Sequence, residues 1–302
     1  YIGEFGLTLV CIAIGFALYR LTQKDIKTPL VTLTVFTVLC IGSRATNTVE
    51  YSGKSMSTLL VQGNIKQHLR FEPSEFWTTM SKYQDMTRPH WDADLIVWPE
   101  AAVPEIEALA DSYLAGLDSA ASFNETALIT GIVDYQIDTK TIFNTLIVLG
   151  NKERGDEHGH YEYLGKNRYQ KHQLLPIGEF VPFQDILRPI APLFDLPMSS
   201  FTRGDRIQNN LRANGFNLLP AICFEIVFAD LVRGNYKTNS DILFTVSNDA
   251  WFGQSIGPLQ HMQIARMRAL ELQRPLVRVT NNGVSAVYDP LSNTQQTMPQ
   301  FE

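Results

Sequence analysis

The chain has 302 residues, with 25 Lys and Arg against 31 Asp and Glu, and a formal net charge of −6 at pH 7. That acidic balance, with no basic run interleaved with aromatics, argues against a nucleic-acid partner. Two of the three cysteines, Cys11 and Cys40, sit in apolar stretches near the amino terminus, which leaves Cys223 without an evident disulfide partner.

The first stretch, Tyr1 to Tyr19, carries no charge after Glu4 until Arg20, and a second uncharged run extends from Thr28 to Ser43. Each is a little short of the roughly 20 residues that span a bilayer. Together they read as a membrane hairpin over residues 1–44, part of a larger helix bundle. A signal peptide fits poorly, because two apolar runs flank a charged loop; a pair of core helices is the other bland option. The loop holds Arg20, Lys24 and Lys27 with Asp25 as its only acid, which places it in the cytoplasm. Residues 45–302 then lie outside the cytoplasm, which in a bacterial cell means the periplasm or the outer face. There an unpaired cysteine is a liability unless it is buried or used.

Those 258 residues, 45–302, are enough for one large domain with a substantial core. Ser57 to Asn64 reads as a strand and Pro73 to Thr87 as a helix, with Phe76, Met80 and Tyr83 at helical spacing. Asp94 to Glu100 is a short apolar strand that Pro99 ends. A helix is expected over Glu105 to Phe123, then strands at Thr126 to Val133 and Thr141 to Leu149. After an irregular middle come a strand at Asn217 to Cys223, a helix near Val227 to Tyr236 and a strand at Asp241 to Val246. Pro258 to Gln273 reads as a helix, with Met262, Ala265, Ala269 and Leu272 as its core stripe. Leu276 to Thr280 and Val284 to Tyr288 flank Asn281-Asn282-Gly283 as a hairpin. Alternating strands and helices predict an α/β sheet covered on both faces, with functional groups just beyond strand ends. Glu100 and Cys223 both occupy such positions.

A lone thiol at a strand end is a candidate nucleophile, although free cysteine also packs well as an inert small hydrophobe. The stretch Gly165 to Phe183 places Lys171 and Glu179 on a Pro- and Gly-bearing loop, which by itself could be a solvated pair. Trp98-Pro99-Glu100, Lys171 with Pro176-Ile177-Gly178-Glu179, and Ile222-Cys223-Phe224-Glu225 follow one another in the order of the Glu-Lys-Cys signatures of the carbon-nitrogen hydrolase (nitrilase) superfamily. With Leu60 to Ile65, Ser247 to Gly253, Gly257 to His261, Ala265 to Ala269, Arg274-Pro275 and Thr280 to Gly283, the chain resembles the bacterial apolipoprotein N-acyltransferase family in particular.

That resemblance implies a nitrilase-like αββα sandwich preceded by a transmembrane hairpin. It implies acyl transfer from a membrane phospholipid to the α-amino group of the diacylglyceryl cysteine of apolipoproteins, through a cysteine thioester, in a monomer without cofactor or metal. Carried over by position, Glu100 is the general base, Lys171 the oxyanion stabiliser and Cys223 the nucleophile. Glu179 holds the lysine, and Phe224, Glu225, Asn248, Trp251 and Arg274 support the pocket. The chain departs from that family in reading as a fragment, lacking further helices before residue 1 and one after residue 302, with 298–302 expected to begin a strand. It also has Phe224 where tyrosine is frequent. Two other functions compete: a periplasmic amidase or nitrilase with water as acceptor, which needs no hairpin, and an inactive scaffold.

Three further segments stand apart. Asp156 to His160 has metal-ligand residue types, but acidic, glycine-bearing loops are usually solvated. His261 is expected to be packed or hydrogen-bonded rather than a base. Arg188 to Met198 is apolar and proline-rich, either a buried connection or a lipid-facing arm.

Overall fold

The computed structural model describes residues 3–45, 53–70, 72–151, 161–180 and 201–302. The Asp156 to His160 loop and the Arg188 to Met198 segment lie outside the described residues. The chain divides into two compact units, Tyr1–Lys54 and Ser55–Glu302.

The first unit holds α1 (Gly3–Thr22) and α2 (Lys27–Ala45). Asp25 organises the turn between them: it pairs with Arg20 at 2.7 Å and accepts from the Lys27 backbone N–H at 3.0 Å. Its Oδ2, the oxygen that faces Arg20, also accepts the Thr28 hydroxyl, so the carboxylate caps the start of α2. Apolar side chains such as Phe5, Leu9, Leu33 and Ile41 are exposed on both helices. By length and composition α1 could cross a membrane, whereas the apolar part of α2, Lys27–Ser43, is shorter.

Two six-stranded sheets make the second unit. The first contains β1 (Thr58–Leu60), β2 (Leu95–Val97), β3 (Val103–Ile106), β4 (Ala127–Gln136), β5 (Thr141–Leu149) and β6 (Arg168–Gln170), in the order β1-β2-β4-β5-β6 with β3 beside β4. The second contains β7 (Leu211–Ala213), β8 (Phe216–Ile222), β9 (Ile242–Ser247), β10 (Leu276–Thr280), β11 (Ala286–Asp289) and β12 (Thr294–Thr297), ordered β12-β11-β10-β9-β8-β7. The neighbours β1, β2 and β4 run parallel, as do β8, β9 and β10.

Side chains alternate across each strand, and in the central strands both faces are apolar, so those strands feed two cores. Leu95, Val97, Ile129 and Val148 face Leu218, Ile222, Phe244 and Val279 between the sheets. The intervening Ile96, Leu128 and Ile147 pack against Met80 and Tyr83 of α3 (Phe76–Thr87) and Leu114 of α4 (Asp111–Phe123). On the far side, Leu219, Leu243 and Leu276 meet Val232 of α5 (Ala229–Asn235) and Met262, Ala265 and Ala269 of α6 (Gly257–Leu272). The result is the four-layered αββα sandwich that the resemblance implies.

Several expectations need correction. The helix predicted from Glu105 starts at Asp111, because Val103–Ile106 pairs with β4 and a 3₁₀ turn, Glu107–Leu109, follows. The strand expected at 298–302 is a turn instead. There Met298 N–H donates to Ser285 O at 2.9 Å, and the Gln62 side-chain amide donates to Pro299 O at 2.8 Å. β6, β7 and β12 were not foreseen; the first two have only three residues, too short for an alternation to be read, and the four of β12 are all polar and exposed.

Gly131 of β4 has a specific packing role. A Cβ there would lie 2.3 Å from Ala101 N and 2.8 Å from Glu100 Cα, so only glycine lets the Glu100 loop close on the sheet. Gly131→Ala is expected to cost about 1–3 kcal/mol in urea denaturation, the range for overpacking a tight site. Gly116→Ala on α4, where nothing lies within 4 Å of the added Cβ, should be neutral or stabilising.

Candidate active site

Glu100 lies in the loop after β2, Lys171 directly follows β6, and Cys223 directly follows β8. The two sheets thus deliver all three groups to strand ends, where backbone is released from the ladder and side chains are free to converge. Lys171 Nζ donates to Glu100 Oε1 at 3.2 Å and to Glu179 Oε1 at 2.9 Å, with all three residues buried. Asn144 of β5 braces the same pair, its amide donating to Glu100 Oε1 at 2.8 Å and Glu179 Oε1 at 2.9 Å. The remaining carboxylate oxygens take backbone donors: Asn248 N–H to Glu100 Oε2 and Leu175 N–H to Glu179 Oε2, each at 2.8 Å. Arg70 Nη2 reaches the Glu100 carbonyl at 3.0 Å.

This cage sets the protonation states. Burial opposes ionisation of Glu100, but Lys171, then Arg70 and the Asn144 and Asn248 hydrogen bonds, outweigh it and hold the carboxyl below its usual range. For Lys171 burial likewise opposes the charge, and Glu100 and Glu179 overcome it and hold the ammonium well above the usual lysine value. The thiol of Cys223 sits deep among protein atoms although part of the residue borders the cleft. Burial first, then Glu100, push it up to about 12 against the pull of Lys171.

Cys223 has φ of 53°, in the left-handed region that non-glycine residues adopt uncommonly. It starts a 3₁₀ turn, Cys223–Val227, that leads to α5. The buried Glu225 anchors this elbow. Its Oε2 accepts Ile222 N–H at 2.8 Å, and its Oε1 accepts His172 N–H at 2.7 Å and Gln173 N–H at 3.0 Å. One carboxylate therefore ties the Cys223 turn to the Lys171 loop, and burial raises its own pKa.

Cys223 borders two cavities. One, of about 50 Å³, contains the polar cage with Glu100, Asn144, Lys171 and Glu179. The other, of about 410 Å³, is lined mainly by apolar groups including Leu175, Phe224, Val227, Phe252 and Ile264. Trp251, 51% exposed, borders both, and Asn248 borders the apolar one.

Of the residues singled out from sequence, Glu100, Lys171, Glu179, Cys223, Phe224, Glu225, Asn248 and Trp251 converge here. Arg274 does not. It precedes β10, so it lies at the other end of the parallel strands, where it donates to Ser240 O at 2.6 Å and Tyr236 Oη at 2.8 Å. Asn144, Arg70 and Gln67 were missed; Gln67 accepts from the Asn248 amide at 2.7 Å. A polar residue within the apolar run Ile142 to Leu149 was the available signal for Asn144. His261 is buried and hydrogen-bonded, as expected. Among the described residues there is no cluster of three or more His, Cys, Asp or Glu suited to a metal.

Residues 60–302 match the carbon-nitrogen hydrolase family. The chain belongs to that family. It is 49% identical over 302 residues to an apolipoprotein N-acyltransferase of Shewanella oneidensis, covering 100% of this chain and 58% of that protein. The corresponding protein of Photobacterium profundum is 47% identical, with 100% of this chain and 57% of that protein covered. The chain thus spans little more than half the length of these relatives. Among solved structures, a carbon-nitrogen hydrolase from Helicobacter pylori aligns with a TM-score of 0.56 at 13% identity, over 81% of this chain and 86% of that one. Nit3 of Saccharomyces cerevisiae, a member of the nitrilase superfamily, gives 0.55 at 15% identity over 81% and 86%. These two likenesses establish the fold.

Removing the lysine should leave two buried carboxylates without their cation, at a cost of about 3–5 kcal/mol. In the native protein, the depressed Glu100 contributes stability that is present above its ordinary value of 4.5 and lost as pH falls through the folded value. Without Lys171, burial dominates and the carboxyl shifts upward. The stability deficit of Lys171→Met should therefore be largest near neutrality and shrink towards about pH 4. Urea titrations showing a pH-independent deficit would contradict the cage electrostatics.

Proposed function

We propose that the chain is the catalytic portion of an apolipoprotein N-acyltransferase. It moves a fatty acyl group from a membrane phospholipid to the α-amino group of a diacylglyceryl cysteine at a lipoprotein amino terminus. The observation that carries this reading is the position of Cys223 between a charged Glu-Lys cage and an apolar cavity with room for an alkyl chain. The named relatives agree with it.

In this reading Cys223 is the nucleophile, Glu100 the general base and Lys171 the oxyanion stabiliser, with Glu179 and Asn144 fixing the lysine. At rest the proton stays on sulfur. When phospholipid enters, Glu100 takes that proton as sulfur attacks the ester carbonyl, and negative charge develops on the carbonyl oxygen beside Lys171. Part of the ammonium's attraction then leaves Glu100, raising its proton affinity when it must accept a proton. Collapse breaks the ester C–O bond, and the departing lysophospholipid oxygen takes the proton from Glu100. The amine attacks the resulting thioester, Glu100 accepts its proton, and the sulfur leaves and is reprotonated, giving an amide. Protons and electrons balance without a cofactor.

The first unit is the proposed membrane anchor. Its outward apolar side chains suit a lipid surround, and the basic Arg20 to Lys27 loop favours the cytoplasmic side. The second unit would then face the periplasm and act as a monomer.

In phospholipid vesicles, the chain should gain one acyl mass on Cys223, absent in Cys223→Ala and released by neutral hydroxylamine. The adduct should persist until a diacylated lipopeptide with a free amino terminus is added, giving ping-pong kinetics. Release of free fatty acid at the same rate with or without lipopeptide would instead identify a hydrolase.

A further inference from the structure

A second buried polar cluster reaches Cys223 through its backbone. It joins Ser247 of β9, Asp249 in the 3₁₀ turn Asp249–Phe252, His261 of α6 and Arg278 of β10, all buried. Ser247 Oγ donates to Asp249 Oδ1 at 2.6 Å, and Arg278 Nη2 donates to Asp249 Oδ2 at 2.8 Å. His261 Nδ1 lies 3.0 Å from Asp249 Oδ1 and 3.1 Å from Arg278 Nη2. On the opposite side of the ring, Nε2 lies 3.1 Å from the carbonyl oxygen of Cys223.

A carbonyl oxygen only accepts, so Nε2 must carry a hydrogen. Nδ1 then either accepts from Arg278 in the neutral ring or carries a proton and donates to Asp249. The Nε2–H bond to Cys223 survives in both states. Asp249 and Arg278 hold the other edge of the ring, and Gly283 lets the β10–β11 loop close on Asp249, since a Cβ there would lie 2.4 Å from its Oδ2.

The left-handed backbone at Cys223 persists only if its surroundings over-determine it. Glu225 fixes the preceding N–H, at Ile222, and His261 fixes the following carbonyl. We infer that His261 is a positioning residue for the nucleophile, holding the Cys223 carbonyl so that the strained elbow aims the thiol at the Glu100–Lys171 cage. This rests on the reading of Cys223 as nucleophile. It adds a second residue set, Asp249-His261-Arg278, that acts on the reaction through the Cys223 backbone.

The test compares His261→Gln, whose amide nitrogen extends to the Nε2 position, with His261→Asn, which reaches only the Nδ1 position. The probe is p-nitrophenyl hexanoate, with the pre-steady-state burst of p-nitrophenolate reporting acylation of Cys223. The Asn variant should acylate on the order of 100-fold more slowly, the effect of about a 1 Å misplacement. Its burst amplitude and apparent KM should be unchanged, and the Gln variant should recover most of the rate. Equal losses in both variants, tracking their melting temperatures, would overturn the inference, as would a wild-type rate in the Asn variant. A wild type with no burst would remove the nucleophile assignment and this inference with it. A protein that bursts with the ester, shows the Gln–Asn contrast, yet takes no acyl group from vesicles would lose the phospholipid reading and keep His261.

Discussion

The buried ammonium of Lys171 is the constraint on which the site depends. An ionised lysine removed from water is costly unless it is paired and hydrogen-bonded. Here two carboxylates supply the pairing, and their own lone pairs are taken by Asn144 and by the backbone of Leu175 and Asn248. Those partners come from β5, from the loop after β6 and from the end of β9. One of these bonds, from the Asn248 N–H to Glu100 Oε2, crosses between the two sheets and so ties the cage to the second sheet at this end.

On that frame, Cys223 joins two environments of opposite character. The cage side concentrates charge where an acyl carbonyl would become an oxyanion, and the apolar side offers contact that is nearly free of direction. In the proposed reaction binding and chemistry would thereby be separated, with changes in the apolar lining altering what fits and changes in the cage altering how fast it reacts. Phe224 belongs to the first group, because its ring packs edge-on against Phe228 at 5.0 Å between centroids and adds no hydroxyl to the cavity. Glu225, one position later, belongs to neither. It is a structural tie between the Cys223 turn and the Lys171 loop, a role that its place beside Cys223 in the sequence does not reveal.

Sequence carried the parts of this that depend on local pattern. Apolar runs ended by Pro or by a polar residue marked β2, β8 and β9, and the reactive residue types just past them marked the site. What it did not carry was satisfaction of buried polar groups, because partners are set by tertiary geometry. Asn144 sits in a strand that otherwise reads as core, and Arg278 sits between Val277 and Val279, so each looks like an interruption and not like a ligand of a carboxylate. Arg274 shows the converse error. It adjoins family-like residues in sequence, but β10 carries it to the opposite end of the sheet, since the strand runs from Leu276 to Thr280 before reaching the site. The misplaced start of α4 has a similar cause: Val103 is fully buried against β4, and that pairing overrides local helical preference.

The resting proton on Cys223 has a further consequence. Thiolates, not thiols, are the species that oxidants and stray electrophiles attack. A fully ionised nucleophile would react early in the oxidising compartment proposed for this unit. Burial and the Glu100 carboxylate keep the thiol protonated, pushed up to about 12, while Lys171 stands ready but is occupied by two carboxylates. In the proposed mechanism, activation would therefore wait for an acyl carbonyl that can compete for the ammonium. In the proposed reaction the same arrangement would give selectivity in time, with reactivity appearing as the oxyanion develops and subsiding once the thioester has formed. A site built around a permanently depressed thiol would react faster with small oxidants and gain nothing in the step where the oxyanion must be held.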